Sequence, residues 1–353
     1  MLTARLSAIS LLVLAHAALG CSADAESPAT GEGSDAVTTS QLPDDAQSLW
    51  KGYVAKTTKG ASLQPGCEPM RVSPPSSVPY RGVIILFHGF TACPQQFHEL
   101  SSTLAGAGFE VLLPLLPGHG RVPQRNGSAF IDDISDLPTG YTKGRYADLG
   151  KEMNSIARAS TGTRIVGGLS LGGAVATSAM IDAPGLYARG LLLSPLFQIP
   201  GAQGTALKAA NILTPTKRSG WGEGCLVQRT APRPRAGICE YQFNQLRGAA
   251  EFAESVAANA SRVTIPVQVA GVEADSAADD TAMQNVSKAM RSSNICFFAK
   301  GVPHSLLSRF DSPGKDMFWL PSALHHISGF LVEGSPFATA GASTEAPALQ
   351  CKI

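Results

Sequence analysis

The chain has 353 residues, 44% of them hydrophobic, enough to bury one large core or one core with an insertion. Only 16% are charged and the formal net charge is +1. With no basic stripe and few aromatics, nucleic acid is excluded as an expected partner, and no cysteine or histidine spacing matches a zinc site.

In chain order, Arg5 precedes an apolar stretch from Ala8 to Leu19, too short to span a bilayer comfortably. It runs into Ala18-Leu19-Gly20-Cys21, close to a bacterial lipoprotein cleavage box, with the large and small residues before the cysteine exchanged. Residues 1–21 are therefore expected to be a signal peptide and Cys21 a lipidation site. The protein is expected to be exported, either lipid-anchored in a bacterial cell envelope or secreted. Residues 22–48 are rich in Ser, Asp, Ala, Thr, Gly and Glu and read as a disordered tether. The sequons at Asn126, Asn259 and Asn285 are taken as coincidental in a bacterial export route.

From residue 80, apolar strands alternate with helical patterns, the signature of a parallel sheet covered on both faces. Strands are expected at 82–87, 109–113, 164–168, 190–195, 265–270 and 294–299. Helices are expected after Pro94, at 146–159, after residue 170, near 240–258 and at 321–332. Residues 121–146 read as a long loop. About seventy residues separate the strand at 190–195 from the next one, so 196–263 reads as an insertion. The main domain is placed at 49–335 and a C-terminal tail at 336–353.

Beyond Cys21 stand Cys67, Cys93, Cys225, Cys239, Cys296 and Cys351. An even number in an exported chain points to disulfides, with 15 full pairings open. Cys225 and Cys239, close together in a Pro/Gly-rich segment, are the expected pair. The other four are equally compatible with buried thiols.

The chemistry centres on Gly168-Leu169-Ser170-Leu171-Gly172, between an apolar strand and a helix closed by Pro184 and Gly185. A Gly-x-Ser-x-Gly run in that setting is a nucleophile elbow, with glycines where no side chain fits. A serine hydroxyl needs a base and an orienting carboxylate on the same sheet edge, in the order Ser, Asp/Glu, His. His304, in the loop after the 294–299 strand, is the expected base. Asp275 is the expected acid; Glu273, Asp279 and Asp280 are within reach of the same loop and stay open. The backbone N–H groups of Leu171 and Phe90 are expected to form the oxyanion hole. His88 reads as a structural hydrogen-bonder behind that loop. His98, His325 and His326 read as helix residues.

These residues, together with Leu86-Phe87-His88-Gly89-Phe90 and Leu116-Pro117-Gly118-His119-Gly120, resemble the α/β-hydrolase superfamily, in particular its branch of monoglyceride lipases, carboxylesterases and serine aminopeptidases. The resemblance runs from about residue 80 to 332. It implies an α/β fold with a mostly parallel sheet of eight strands, and a cap inserted after the sixth strand, in agreement with the insertion at 196–263. The expected function is cleavage of a carboxylic ester through an acyl-enzyme: Ser170 attacks, His304 shuttles the proton, Asp275 orients it, and Phe90 and Leu171 hold the oxyanion. The expected partners are a small-molecule ester or lipid-like substrate and, through Cys21, a membrane. A monomer without metal or organic cofactor is expected. The rival readings are a serine aminopeptidase or amidase of the same fold and, more remotely, a non-catalytic binding module.

Overall fold

The computed structural model describes residues 42–126, 129–220, 225, 234–312, 316–343 and 346–352. The signal segment, Cys21 and most of the tether lie outside the described residues, as do Trp221 and the first half of the Pro/Arg cluster at 232–235.

The elements run α1 (Asp44–Thr58), β1 (Met70–Val72), β2 (Gly82–Phe87), α2 (His98–Gly106), β3 (Phe109–Leu113), a ribbon of β4 (Gln124–Asn126) and β5 (Ala129–Ile131), and α3 (Gly144–Ala159). Next come β6 (Thr163–Leu169), α4 (Leu171–Asp182), β7 (Arg189–Leu193), α5 (Gly201–Leu213), a ribbon of β8 (Arg218–Gly220) and β9 (Glu240–Gln242), and α6 (Phe243–Ala257). The chain finishes with β10 (Val267–Val272), α7 (Asp280–Ala289), β11 (Ser293–Phe298), α8 (Leu320–Ser328) and β12 (Leu349–Lys352).

Eight strands make one sheet in the order β1-β3-β2-β6-β7-β10-β11-β12. Its six central strands are parallel and the two edges, β1 and β12, are antiparallel. The apolar run of β2 shows why both faces are covered. Val83, Ile85 and Phe87 enter one core with α1, α3 and α4, while Ile84 and Leu86 enter the other with α2 and α8. Side chains alternate across a strand, so a continuous apolar run needs cover on each side. Helix α4 is buried nearly all round, in keeping with its mostly apolar sequence.

The structure corrects the expected boundaries in four places. The tether does not reach residue 48: α1 starts at Asp44 and buries Ala46, Trp50 and Tyr53 against the body. The loop at 121–146 contains the β4/β5 ribbon. The insertion at 196–263 carries a helix, α5, and the β8/β9 ribbon besides the expected α6. The presumed C-terminal tail supplies β12, pairing with β11 from Ile295↔Lys352 to Phe298↔Leu349. That edge strand brings the count to eight; five sheet strands, β1, β2, β3, β6 and β7, precede the cap, so it follows the fifth in chain order rather than the sixth.

Cys225 and Cys239 are bonded, with Cα atoms 5.6 Å apart. The remaining four cysteines are also paired, Cys67 with Cys93 and Cys296 with Cys351. The Cys296–Cys351 bond ties β12 to the sheet, which explains how a short, polar strand holds an edge. Among the described residues no helix is long and apolar enough to cross a membrane.

Candidate active site

The parallel strands deliver their carboxyl ends to one edge, where ligand sites of open α/β sheets form. Four connections meet there: the turn after β2, the elbow after β6, the loop after β10 and the loop after β11.

Ser170 occupies the elbow with φ +56° and ψ −121°, a conformation that L-residues adopt at a cost of roughly 1–3 kcal/mol. The surrounding backbone fixes it: its N–H donates to the Leu193 carbonyl, and its own carbonyl accepts from the N–H groups of Gly173 and Leu196, each at 2.9 Å. The flanking glycines are sterically required. A Cβ on Gly172 would sit 1.9 Å from the Phe87 carbonyl oxygen, and one on Gly168 2.2 Å from that of Gly172. Leu171 is the first residue of α4, so its N–H has no acceptor within the helix.

The turn after β2 is closed by the Ala92 N–H donating to the Gly89 carbonyl, with Phe90 in its second position. A Cβ on Gly89 would lie 3.3 Å from Ser170 Cβ, so this turn passes directly beside the serine. Behind it, His88 Nδ1–H donates to the Gly89 carbonyl at 2.9 Å, and Nε2 accepts from the Leu116 N–H at 3.0 Å. The second bond requires a bare Nε2 and fixes a neutral tautomer. Burial and the neighbouring His119 hold His88 well below the usual imidazole range. Burial also pushes His119 down to about 4.

These two rings make stability pH-dependent. Both have depressed native pKa values, so below pH 6.5 the unfolded chain binds protons that the native state refuses. Stability is full above that pH and falls as pH drops; His119 alone costs about 3 kcal/mol by pH 4. Urea midpoints measured from pH 7 to 4 are expected to decline across this window. The decline should be shallower in His119→Phe; an identical slope in the variant would refute the assignment.

In the loop after β10, Asp275 is turned toward His304 with its side chain 1% exposed, and its Oδ2 lies 2.6 Å from His304 Nδ1. Its Oδ1 accepts from the Ala277 N–H at 2.8 Å. The neighbouring carboxylates do other work. Asp279 caps α7 by accepting from the Ala282 N–H, and Asp280 Oδ2 accepts from the Ala274 N–H. Burial and the adjacent Asp275 and Asp279 raise the Asp280 carboxyl. Ser170 and His304 both line a cavity of about 690 Å³ roofed by the cap. Its walls include Phe90, Leu196, Ile199, Leu207, Phe243 and Leu246. His98 and His325 are exposed on helices, away from this cavity, and His326 is half-buried on α8. Among the described residues no group of three His, Cys, Asp or Glu side chains is placed to hold a metal ion.

Three residues in the same walls carry no sequence signal. Arg235 Nε lies 2.6 Å from Asp311 Oδ1, with both side chains about 90% buried, and Gln96 Nε2 donates to Asp311 Oδ2 at 2.9 Å. They come from the cap, the loop after β11 and the short 3₁₀ helix Pro94–Phe97 that precedes α2. Only the fold joins them.

An eight-stranded, mostly parallel sheet with a serine on a positive-φ turn between strand and helix, and an inserted cap, defines an α/β hydrolase. Residues 78–311 match the family described as serine aminopeptidase, S33, and the chain belongs to that family. A search of curated proteins found no match. Among solved structures, the chain is similar to a monoacylglycerol lipase of Paleococcus ferrophilus, with 20% identity and a TM-score of 0.54 over 76% of this chain and 100% of the other. It is similar to a soluble variant of monoglyceride lipase from Saccharomyces cerevisiae, determined with a substrate analogue, at 15% identity and a TM-score of 0.54 over 76% and 92% of the two chains. A metagenome-derived lipolytic enzyme superposes with a TM-score of 0.50 at 18% identity over 67% and 89%. At these identities the likeness concerns the fold.

Proposed function

We propose that the protein is a serine hydrolase that cleaves carboxylic esters with an apolar acyl group through an acyl-enzyme. The observation that carries this reading is the 2.6 Å bond between buried Asp275 and His304, on the wall of the cavity that Ser170 also lines. With Nδ1–H donating to Asp275, His304 keeps Nε2 bare, the form that takes a proton from a serine hydroxyl. Ser170 Oγ attacks the acyl carbonyl, and the N–H groups of Leu171 and Phe90 receive the developing oxyanion. His304 then returns the proton to the leaving alcohol. Water, activated by the same imidazole, releases the acid and restores Ser170.

The cavity walls favour ester over aminopeptide chemistry. An aminopeptidase must hold a free α-ammonium group, which calls for a carboxylate in the site. Asp311 is the cavity's carboxylate among the described lining residues, and Arg235 and Gln96 already engage it. The apolar walls suit an acyl chain, and the two lipases with the same fold act on monoacylglycerols by name. Three disulfides support an oxidising compartment and hence export, and the Leu19-Gly20-Cys21 sequence supports a lipid anchor at Cys21, with secretion as the alternative.

Purified protein should hydrolyse p-nitrophenyl butyrate and octanoate and leave alanine p-nitroanilide untouched. Preferential turnover of the anilide would assign the amidase reading instead.

A further inference from the structure

Three loops converge on the turn that carries Phe90, and one guanidinium joins them. Arg235 Nε donates to Asp311 Oδ1, and Nη2 donates to the Thr91 carbonyl at 3.0 Å. The same Thr91 carbonyl accepts the Ile238 N–H, also at 3.0 Å. At the other end of the turn, the Gly89 N–H donates to Gln96 Oε1, whose Nε2 binds the second oxygen of Asp311. The turn Gly89-Phe90-Thr91 is therefore gripped at both ends by a circuit closed through Asp311 and Arg235.

The grip has something to hold. Thr91 sits at φ +69°, a conformation a β-branched residue avoids. Left to itself, such a turn relaxes, and the N–H groups it presents rotate with it. Arg235 is in turn seated by the cap. Its Nη1 reaches the Ile238 carbonyl at 3.4 Å and Cys225 Sγ at 3.6 Å, inside the loop that the Cys225–Cys239 bond closes. The N–H groups of Cys239 and Glu240 are fixed in turn by buried Asp132, at 2.6 and 3.0 Å.

We propose that Arg235 is a positioning residue for the oxyanion hole: through Asp311, Gln96 and the Thr91 carbonyl it holds the Phe90 N–H on target, making the disulfide-closed cap part of the catalytic apparatus. The inference rests on the serine-hydrolase reading above. An oxyanion donor acts on the transition state and little on bound substrate, so its misplacement lowers kcat and spares KM.

The test compares wild type with Arg235→Gln, Arg235→Lys and the pair Arg235→Met/Asp311→Leu. It measures kcat and KM for p-nitrophenyl butyrate, the rate of Ser170 phosphonylation by a fluorophosphonate, and Tm. Arg235→Gln should lower kcat on the order of 10–100-fold with KM within about twofold, and slow phosphonylation in parallel. Arg235→Lys retains a charge for Asp311 but not the fork that also reaches Thr91, so it should recover only part of the loss. The apolar pair replaces a buried ion pair by residues of similar volume and should keep Tm near wild type while kcat stays low. An unchanged kcat in folded variants, or a loss confined to KM, overturns the proposal. If wild type turns over neither ester nor fluorophosphonate, the hydrolase reading itself fails and the inference falls with it.

Discussion

Replacing Ser170 by alanine is expected to lower hydrolysis of p-nitrophenyl butyrate by about 10⁴-fold or more. In a nucleophile, base and acid that act as a unit, loss of the nucleophile abolishes covalent catalysis. What remains is the smaller acceleration from substrate binding and oxyanion stabilisation. The substitution removes one oxygen at a position fixed by backbone bonds to Leu193, Gly173 and Leu196, so the elbow survives it. It relieves no strain either, since alanine at φ +56° is no better accommodated than serine. Activity within tenfold of wild type would place the chemistry elsewhere.

Asp275→Asn is expected to cost about 10³–10⁴-fold in kcat, with far less change in KM. The side chain is 1% exposed and Oδ1 is committed to the Ala277 N–H, so asparagine must turn its amide nitrogen toward His304. That nitrogen donates, which makes Nδ1 of His304 the acceptor and places the ring proton on Nε2. Nε2 of the imidazole then has no lone pair with which to take the Ser170 proton. The defect is one of tautomer, so the variant should fold with nearly wild-type Tm. Asp279→Asn makes the contrast. Asparagine caps helices as well as aspartate does, and Asp279 faces the Ala282 N–H, so activity should stay within about twofold of wild type. Equal losses in the two variants would contradict the assignment of the acid.

How much of this was written in the sequence varies with the range of the physics involved. The central strands were legible because each is a short, uninterrupted apolar run between turn residues, and Gly82–Phe87 is one in the structure to the residue. The elbow was legible because its glycines answer to contacts within a few residues and one neighbouring strand. The pairing of His304 with Asp275, 29 positions apart, followed from chain order and the common sheet edge. Its place after the β10 strand favours Asp275 in the sequence, but only tertiary contact shows its carboxylate against His304 while Asp279 caps a helix.

What the sequence hid is set by tertiary contact. The strand β12 is too short and polar to announce itself, and its place depends on Cys351 meeting Cys296 across 55 residues. The first turn of helix α1, residues 44–48, falls in the polar stretch read as a tether, and only the burial of Ala46, Trp50 and Tyr53 against the body shows that the helix begins there. The Arg235, Asp311 and Gln96 circuit spans 215 residues and has no pattern in any one segment. The signal segment and Cys21 rest on sequence alone, outside the described residues.

The most direct test of the account is to treat the intact protein with a fluorophosphonate and locate the adduct by peptide mass mapping. One equivalent is predicted, on the peptide containing Ser170, with no labelling of Ser170→Ala and loss of ester turnover in step with labelling. Labelling of a different serine, or full ester turnover after Ser170 is blocked, would contradict it.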